Sequence, residues 1–440
     1  MPYRYVWQII FGKNDSRDLK PQMIAEILST GDEICSGAII DSNSAHIAEK
    51  LMELDIEVTR HSCVGDDLEA LANILKEIGG RADIAIITGG LGPTKDDLSA
   101  EAAAMAAGTG LEKNEKAVAY IEGFFEKYHR QASESDYKQA MLPRLAAPIL
   151  NARGTAPGFS LTIGKCRCYF MPGIPHEMTA MLAEQVIPDI QKNLQPPDKF
   201  QRIRTLSAFG LPEARVNDRM AEISDAFANV RYGLLARFPV IYIKLIATGK
   251  TPADLTRDLD QASLWAQERL GKYIFSTNGL TIEAEVGKLL RDAGATVAVA
   301  ESCTGGLVAD MLTNVSGSSD YFLLSTVTYA NSAKIEILNV PPEVIDQHGA
   351  VHEETAKLMA EGVRRISGAA YGIATSGIAG PSGGTDEKPV GTVCIGIAGP
   401  DGAAGERHHS PFKERTPNKQ IFAVLALNVL RKQIMKEFYI

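Results

Sequence analysis

The residues best suited to chemistry stand in the second half of the chain. Ser302 lies in Glu301-Ser302-Cys303-Thr304-Gly305-Gly306, after the β-branched run Thr296–Ala300 and before the periodic apolar positions Leu307, Val308, Met311, Leu312 and Val315. That order reads as strand, tight turn and helix. A hydroxyl placed there would face the unpaired N–H groups of the first helical turn, which suit an oxyanion or a phosphate. The same spacing also describes an ordinary Ser or Thr helix cap. A serine nucleophile needs a base. The neighbouring sequence offers His348, His352, His408 and His409, none at an evident strand end. It also offers Lys334, which falls with Tyr329 just past the apolar strand Leu324–Tyr329. A lysine serves as base once burial or a nearby cation lowers its pKa, and Tyr329 could orient the proton. A further turn, Ser376–Thr385, carries Gly377, Gly380, Gly383 and Gly384. Its glycines would let backbone N–H groups approach a phosphate. The chemistry this set suits is hydrolysis of an amide or ester on a phosphorylated substrate.

A second constellation lies near the N-terminus. Thr88-Gly89-Gly90-Leu91-Gly92-Pro93-Thr94-Lys95-Asp96-Asp97 follows a buried-type strand and lacks the ending of a Walker loop. Asp96 and Asp97, with Asp66 and Glu33, offer hard oxygen ligands for a divalent cation bridging a pyrophosphate. Taken singly, each acid also reads as a solvated turn residue. His176 reads as a surface or core histidine, and Glu177 as a carboxylate favoured at a helix start.

These residues require strands alternating with helices. In the first unit, Ile24–Thr30, Ile56–His61 and Asp83–Ile87 are expected strands. Ser42-Asn43-Ser44 is expected to cap a helix, Leu68–Ile78 to form another and Ala100–Tyr128 a third. The pattern predicts a largely parallel sheet with helices on both faces and ligands at the strands' C-terminal ends, where Gly31, Asp66 and Gly89–Asp97 fall. A linker is expected near Pro196-Pro197-Asp198. Beyond it comes a small α+β unit with few convergent polar groups, suited to packing or oligomerisation. The last unit is α/β again, closing on the helix Gln420–Glu437.

The chain has 440 residues, enough for several cores. Its formal charge of −9 argues against non-specific nucleic-acid binding. Six scattered cysteines without a CxxC argue against a disulfide framework or structural zinc and fit a reducing cytoplasm. No stretch reaches transmembrane length. Met1–Gln22 reads as an extension on the first domain. Residues 23–197, 198–278 and 279–440 are the expected domains.

Longer motifs carry a resemblance. AESCTGGL at 300–307, GSSDYF at 317–322, YANSAK at 329–334, QHGAV at 347–351 and SGIAGPSGGTDEKPVGTV at 376–393 resemble the nicotinamide-mononucleotide amidohydrolase domain of the CinA (competence/damage-inducible protein) family. STGDEICSGAIIDSNS at 29–44, ITGGLGPTKDDLS at 87–99, NARGTAPGF at 151–159 and MPGIPHEM at 171–178 resemble that family's molybdopterin-binding-like domain. The resemblance implies a three-layer α/β N-terminal domain, a KH-like middle domain and an α/β amidohydrolase domain. It implies Ser302 as nucleophile, Lys334 as base and Tyr329 as helper. Glu301, Thr304, Gly305, Gly306, Gly377, Ile378, Ala379, Gly380, Gly383, Gly384 and Arg415 would contact nicotinamide mononucleotide, converted with water to nicotinic acid mononucleotide and ammonia. For the N-terminal domain it implies cleavage of ADP-ribose to AMP and ribose 5-phosphate. Gly89, Gly90, Gly92, Pro93, Thr94, Asn43 and Asn151 would bind this substrate. A divalent ion (magnesium, manganese or cobalt) would sit on Asp96, Asp97, Asp66 and Glu177, with potassium as a further ion.

The chain departs from the family pattern in four places. His352 and Ala330 stand where serine is usual, and Asn339 where glycine is. Phe412-Lys413-Glu414-Arg415 is one residue shorter than the usual Phe-x-Gly-Asp-Arg and lacks its glycine. The middle module's lack of a site of its own leads us to expect a homodimer. Two other readings remain open from the sequence: a non-catalytic pterin-binding or DNA-uptake scaffold, and an enzyme with only one active site.

Overall fold

The computed structural model describes residues 7–8, 23–54, 56–193 and 200–438. The linker near Pro196 and most of the extension Met1–Gln22 lie outside them. Trp7–Gln8 form a short strand. The described chain packs as two compact units. One runs to Arg202 and includes Thr248–Leu255; the other contains Ile203–Ala247 and Thr256–Ile440. Among the described residues, no helix is long and apolar enough to cross a membrane.

The first unit is built on a six-stranded sheet in the order Glu57–Val64, Ile24–Thr30, Ile84–Thr88, Cys166–Met171, Gly158–Ile163 and Ala147–Ile149. The first four strands are parallel and the last two antiparallel. Ile84–Thr88 is buried at every residue, as a central strand covered on both faces must be. One face packs Leu71, Leu75 and Ile78 of the helix Leu68–Arg81. The other packs Ile47 and Leu51 of the helix Ser42–Glu53, with Met178 and Met181. The result is the expected three layers.

Two local expectations are corrected. Asp41, not Ser42–Ser44, caps the second helix, its carboxylate accepting the Ser44 N–H at 2.9 Å. The stretch Ala100–Tyr128 is not one helix. Ser99–Ala106 ends at Gly108, whose φ of 67° only glycine adopts cheaply. Leu111–Lys113 then pairs with Met141–Pro143, and Asn114 caps a new helix, Glu115–Lys127. Alanine-rich composition carried a helical propensity through the break.

The second unit holds two sheets. The C-terminal sheet has the order Phe322–Val327, Val297–Glu301, Tyr371–Gly377, Thr392–Gly399 and Gly402–His409. Val297–Glu301 is flanked by two parallel neighbours, and the last pairings are antiparallel. Ile282–Asp292, Leu307–Thr313 and Arg415–Phe438 cover one face; Asn331–Leu338 and Glu353–Ser367 cover the other. The strand Gly402–His409 and the helix Pro342–His348 went unrecognised in the sequence. The strand's glycine and alanine content has low β-propensity, and pairing with Thr392–Gly399 creates it. The other sheet contains the hairpin Val230–Arg237 and Val240–Gly249, with Phe200–Phe209 and Ile274–Ser276. Val240 and Phe275 of that sheet belong to the same buried cluster as Val286 and Phe422.

Three departures from the family pattern fall at helix ends. His352 caps Glu353–Ser367 through Nδ1, which accepts the Glu354 N–H at 3.1 Å, as a serine hydroxyl would. Asn339 ends Asn331–Leu338 at a φ of 57°, a left-handed position that glycine or asparagine fills. Ala330 begins that helix without a side-chain cap.

Candidate functional site

Two cavities sit at the C-terminal ends of parallel strands, one in each unit. The smaller, of about 270 Å3, is lined by Ser302, Cys303, Tyr329, Lys334, Ala350, Val351, Ser376, Gly377, Ile378, Ala379, Gly380, Ser382, Gly383 and Arg415. Ser302 continues the central strand by one ladder bond, its N–H donating to Thr375 O at 3.0 Å. Gly305 and Gly306 then turn the chain at φ values of 60° and 95°. Lys334 reaches across from the helix Asn331–Leu338 and is only 1 % exposed. Its Nζ stands 3.2 Å from Ser302 Oγ, 2.9 Å from Thr328 O and 3.1 Å from Tyr329 O. Burial pushes its pKa below the ordinary lysine value, opposed only by nearby Cys303.

Tyr329 is exposed and accepts at its OH from Arg415 Nη2 at 2.8 Å. Arg415 Nη1 donates to Gly380 O at 3.2 Å, so the guanidinium spans the mouth of the cavity despite the shortened motif around it. Asn418 ties the glycine turn down by donating to Ala379 O and Phe412 O, each at 3.0 Å. Ser376, buried on the wall, donates to Ala350 O at 2.6 Å.

The sequence misled in one respect. Three N–H groups at the start of the helix are not free for a ligand. Glu301 is fully buried and its carboxylate accepts from Gly306 N at 2.9 Å, Val308 N at 3.1 Å and Ala309 N at 2.9 Å. The cap is therefore the glutamate at the strand's end, not Thr304, whose hydroxyl pairs with Thr375 Oγ1 at 2.7 Å. Glu301, Thr304, Gly305 and Gly306 are absent from the cavity wall. Gly384 is absent too; it packs against Val390, whose N lies 2.7 Å from where a Cβ would stand.

The larger cavity, of about 600 Å3, is lined by Asn43, Asp66, Gly89, Gly90, Gly92, Pro93, Thr94, Asp96, Asp97 and Glu177 among others. A Cβ on Gly89 would stand 2.6 Å from Thr30 O, and one on Gly90 2.5 Å from Ser99 Oγ, so glycine is needed at both. Asp97 turns inward on its own loop, accepting from Thr94 N at 2.8 Å and Thr94 Oγ1 at 2.7 Å. Lys138 donates to Asp97 O at 2.9 Å and to Thr94 O. Glu177 is buried and accepts from Asn151 Nδ2 at 2.6 Å; Asn151 lies wholly inside, behind the wall. Asn43 Nδ2 donates to Gly173 O at 2.7 Å. Two buried oxygens, Asn43 Oδ1 and Gln139 Oε1, have no partner, and both side chains line the cavity. Gln139 was missed in the sequence. The signal available was a polar residue inside Tyr137–Pro143, next to the buried Ala140 and Leu142.

Among the described residues, no three His, Cys, Asp or Glu side chains converge to hold a metal ion by themselves. The acids around Asp66 still bear on a cation. Burial raises the Asp66 carboxyl above its ordinary value, and the negative charges of Asp32, Glu33 and Asp96 add to this against one N–H from Asp32. Asp66, Glu33 and Asp96 all line the cavity, and carboxylates are the oxygen ligands a hard cation takes.

Family models match the chain in three consecutive stretches. The CinA C-terminal domain matches 280–434, a probable molybdopterin binding domain 26–192 and the damage-inducible protein CinA KH domain 203–276. A CinA-like protein of Desulfosudis oleivorans is 53 % identical over 414 residues, covering 94 % of this chain and all of that protein. One of Geobacter metallireducens is 41 % identical over 416 residues, again 94 % of this chain and all of its own. A solved structure of the protein CinA from Thermoplasma acidophilum is 31 % identical, covers 40 % of this chain and 99 % of its own and superposes with a TM-score of 0.36. The mixed α/β chain thus has a molybdopterin-binding-like N-terminal domain, a CinA KH middle domain and a CinA C-terminal domain, and it belongs to the CinA family.

Proposed function

We propose that the chain is a hydrolase of pyridine-nucleotide turnover with two sites. The C-terminal cavity deamidates nicotinamide mononucleotide to nicotinic acid mononucleotide and ammonia. The observation that carries this reading is the Lys334–Ser302 contact. A neutral amine has two N–H donors and one lone pair. With Thr328 O and Tyr329 O accepting the two donors, the lone pair is left for the Ser302 hydroxyl proton. Burial favours that neutral form.

Ser302 Oγ attacks the carboxamide carbon as its proton passes to Lys334. The tetrahedral oxyanion needs donors, and with Glu301 holding three helix amides, the N–H of Cys303, a residue of the cavity wall, would supply one. Ammonia leaves with the proton from Lys334, and water then cleaves the ester by the same exchange. Arg415 and the backbone of Gly377–Gly383 hold the phosphate.

The N-terminal cavity cleaves ADP-ribose to AMP and ribose 5-phosphate. The glycine loop Gly89–Gly92 admits the pyrophosphate, and the unpartnered Asn43 and Gln139 oxygens accept from ribose hydroxyls or the base amine. Asp66 and Asp96 would hold a divalent ion, which, when bound, offsets pyrophosphate charge.

The test is ammonia release from nicotinamide mononucleotide by the full chain and its Ser302→Ala variant, with ADP-ribose cleavage followed in parallel with and without chelator. Loss of ammonia release alone is expected in the variant; equal release from both proteins would sink the serine mechanism.

A further inference from the structure

The fold brings together two cysteines that the sequence holds 28 residues apart. Cys35 ends the short helix Asp32–Cys35, and Cys63 lies near the end of the edge strand Glu57–Val64. Their Sγ atoms are 3.1 Å apart and both residues are exposed, whereas Cys166, Cys168, Cys303 and Cys394 are buried. A disulfide bond is about 2.05 Å long, so the sulfurs have about 1 Å to close, a movement within reach of side-chain rotation. The backbone on both sides is already joined. Gly31 N–H donates to Val64 O at 3.1 Å, Asp32 N–H to Asp66 Oδ2 at 3.4 Å and Asp66 N–H to Asp32 Oδ1 at 3.2 Å. The pair therefore stands on a fixed junction, open to solvent, beside the mouth of the N-terminal cavity.

We propose that Cys35 and Cys63 form a thiol–disulfide exchange site that takes oxidising equivalents from a small-molecule disulfide. The Cys35 thiolate attacks one sulfur of the reagent, forming a mixed disulfide and releasing one thiolate. Cys63, whose thiol pKa is pushed up to about 12 by burial and the neighbouring Cys35 sulfur, then gives up its proton as it attacks Cys35 Sγ, the protein disulfide forms and the second reagent thiolate leaves. The two protein protons end on the two released thiols. The reagent gains two electrons, and the cysteine pair loses two.

The bond has a structural consequence. The segment from Gly31 to Ile40 supplies Glu33, Ile34, Ile39 and Ile40 to the cavity wall, and Ile40 is 82 % exposed. In the reduced protein this segment is held across its turn by Ile39 N–H donating to Glu33 O at 3.1 Å. A Cys35–Cys63 bond ties its middle to the strand that leads into Asp66, so the oxidised protein presents a stiffer wall. This site requires neither hydrolytic reaction.

The test uses the full chain and oxidised glutathione. The wild type is expected to lose its two accessible thiols together, retain no glutathione and yield a Cys35–Cys63 cross-linked peptide on digestion. Cys35→Ser and Cys63→Ser, both at exposed positions, are each expected to retain one glutathione. Wild-type protein that keeps glutathione on both cysteines, or whose two thiols stay free, overturns the proposal. Hydrogen exchange of the amides from Ile34 to Ile40 reads the second part. It should slow on oxidation of the wild type and stay unchanged in Cys35→Ser; unchanged exchange in the cross-linked wild type removes the stiffening.

Discussion

At the C-terminal cavity three polar side chains are already joined to one another or to the backbone: Lys334 to Ser302, Arg415 to Tyr329 and Ser376 to Ala350. At the N-terminal cavity a loop carrying Gly89, Gly90 and Gly92 forms part of the wall, Asp97 and Glu177 are engaged with Thr94 and Asn151, and two buried amide oxygens are left without partners. The difference follows the chemistry proposed for each. Breaking a carboxamide through a serine needs a base held in its reactive protonation state before substrate arrives, and a buried contact can do that. Positioning a pyrophosphate needs close backbone approach and acceptors reserved for the ligand, because charge on the substrate does much of the rest.

The strongest way to break this comparison is at Lys334. Lys334→Met keeps the apolar stem and removes the amine, and ammonia release should fall by about 10^3–10^4-fold, near the loss from removing the serine, since the two act as a unit. ADP-ribose cleavage by the same protein should not change. A small loss, or an equal loss in both assays, would show that the contact is structural.

Glu301→Ala comes next. It orphans three N–H groups around a buried site, and a cost of about 3 kcal/mol in a denaturant titration of residues 203–440 within the full chain is expected. Unchanged stability would return those amides to the ligand. Asn43→Ala and Gln139→Ala sharpen the other side. Each removes an acceptor kept for ligand, so KM for ADP-ribose should rise about 10-fold, roughly one hydrogen bond, with nicotinamide mononucleotide turnover unaffected.

The smallest effect is a contrast in pH profile. Lys334 acts as the neutral amine, so deamidation should rise with pH through an apparent pKa below the ordinary 10.5. Asp66 holds the ion as a carboxylate, so ADP-ribose cleavage should instead be lost at acid pH, as its protonation releases the ion. Both profiles measured on one preparation decide it; coincident limbs would contradict the assignment of different groups to the two sites.

How much of this was readable in the chain depended on the range of the interaction. Strand Ile24–Thr30 was readable residue for residue, because period and flanking turns are local. The strands that lead to Ser302, Tyr329 and Gly89–Asp97 were readable to within one or two residues. The break at Gly108 was hidden because alanine propensity masked it, and the edge strand Gly402–His409 because only its partner makes it a strand.

By itself the sequence determined which residue types could act and on which kind of turn they sit, since glycine and capping chemistry are set by each residue's own backbone preferences. The tertiary structure alone decided which of them meet. It placed Lys334 rather than a histidine on Ser302, because the helix Asn331–Leu338 carries that side chain inward and burial strips its charge of solvent. It gave the Val308 and Ala309 amides to Glu301, because the end of the strand brings that carboxylate within hydrogen-bond distance of the helix start. And it set Cys35 against Cys63, a contact between strand and helix for which no spacing in the chain gives a sign.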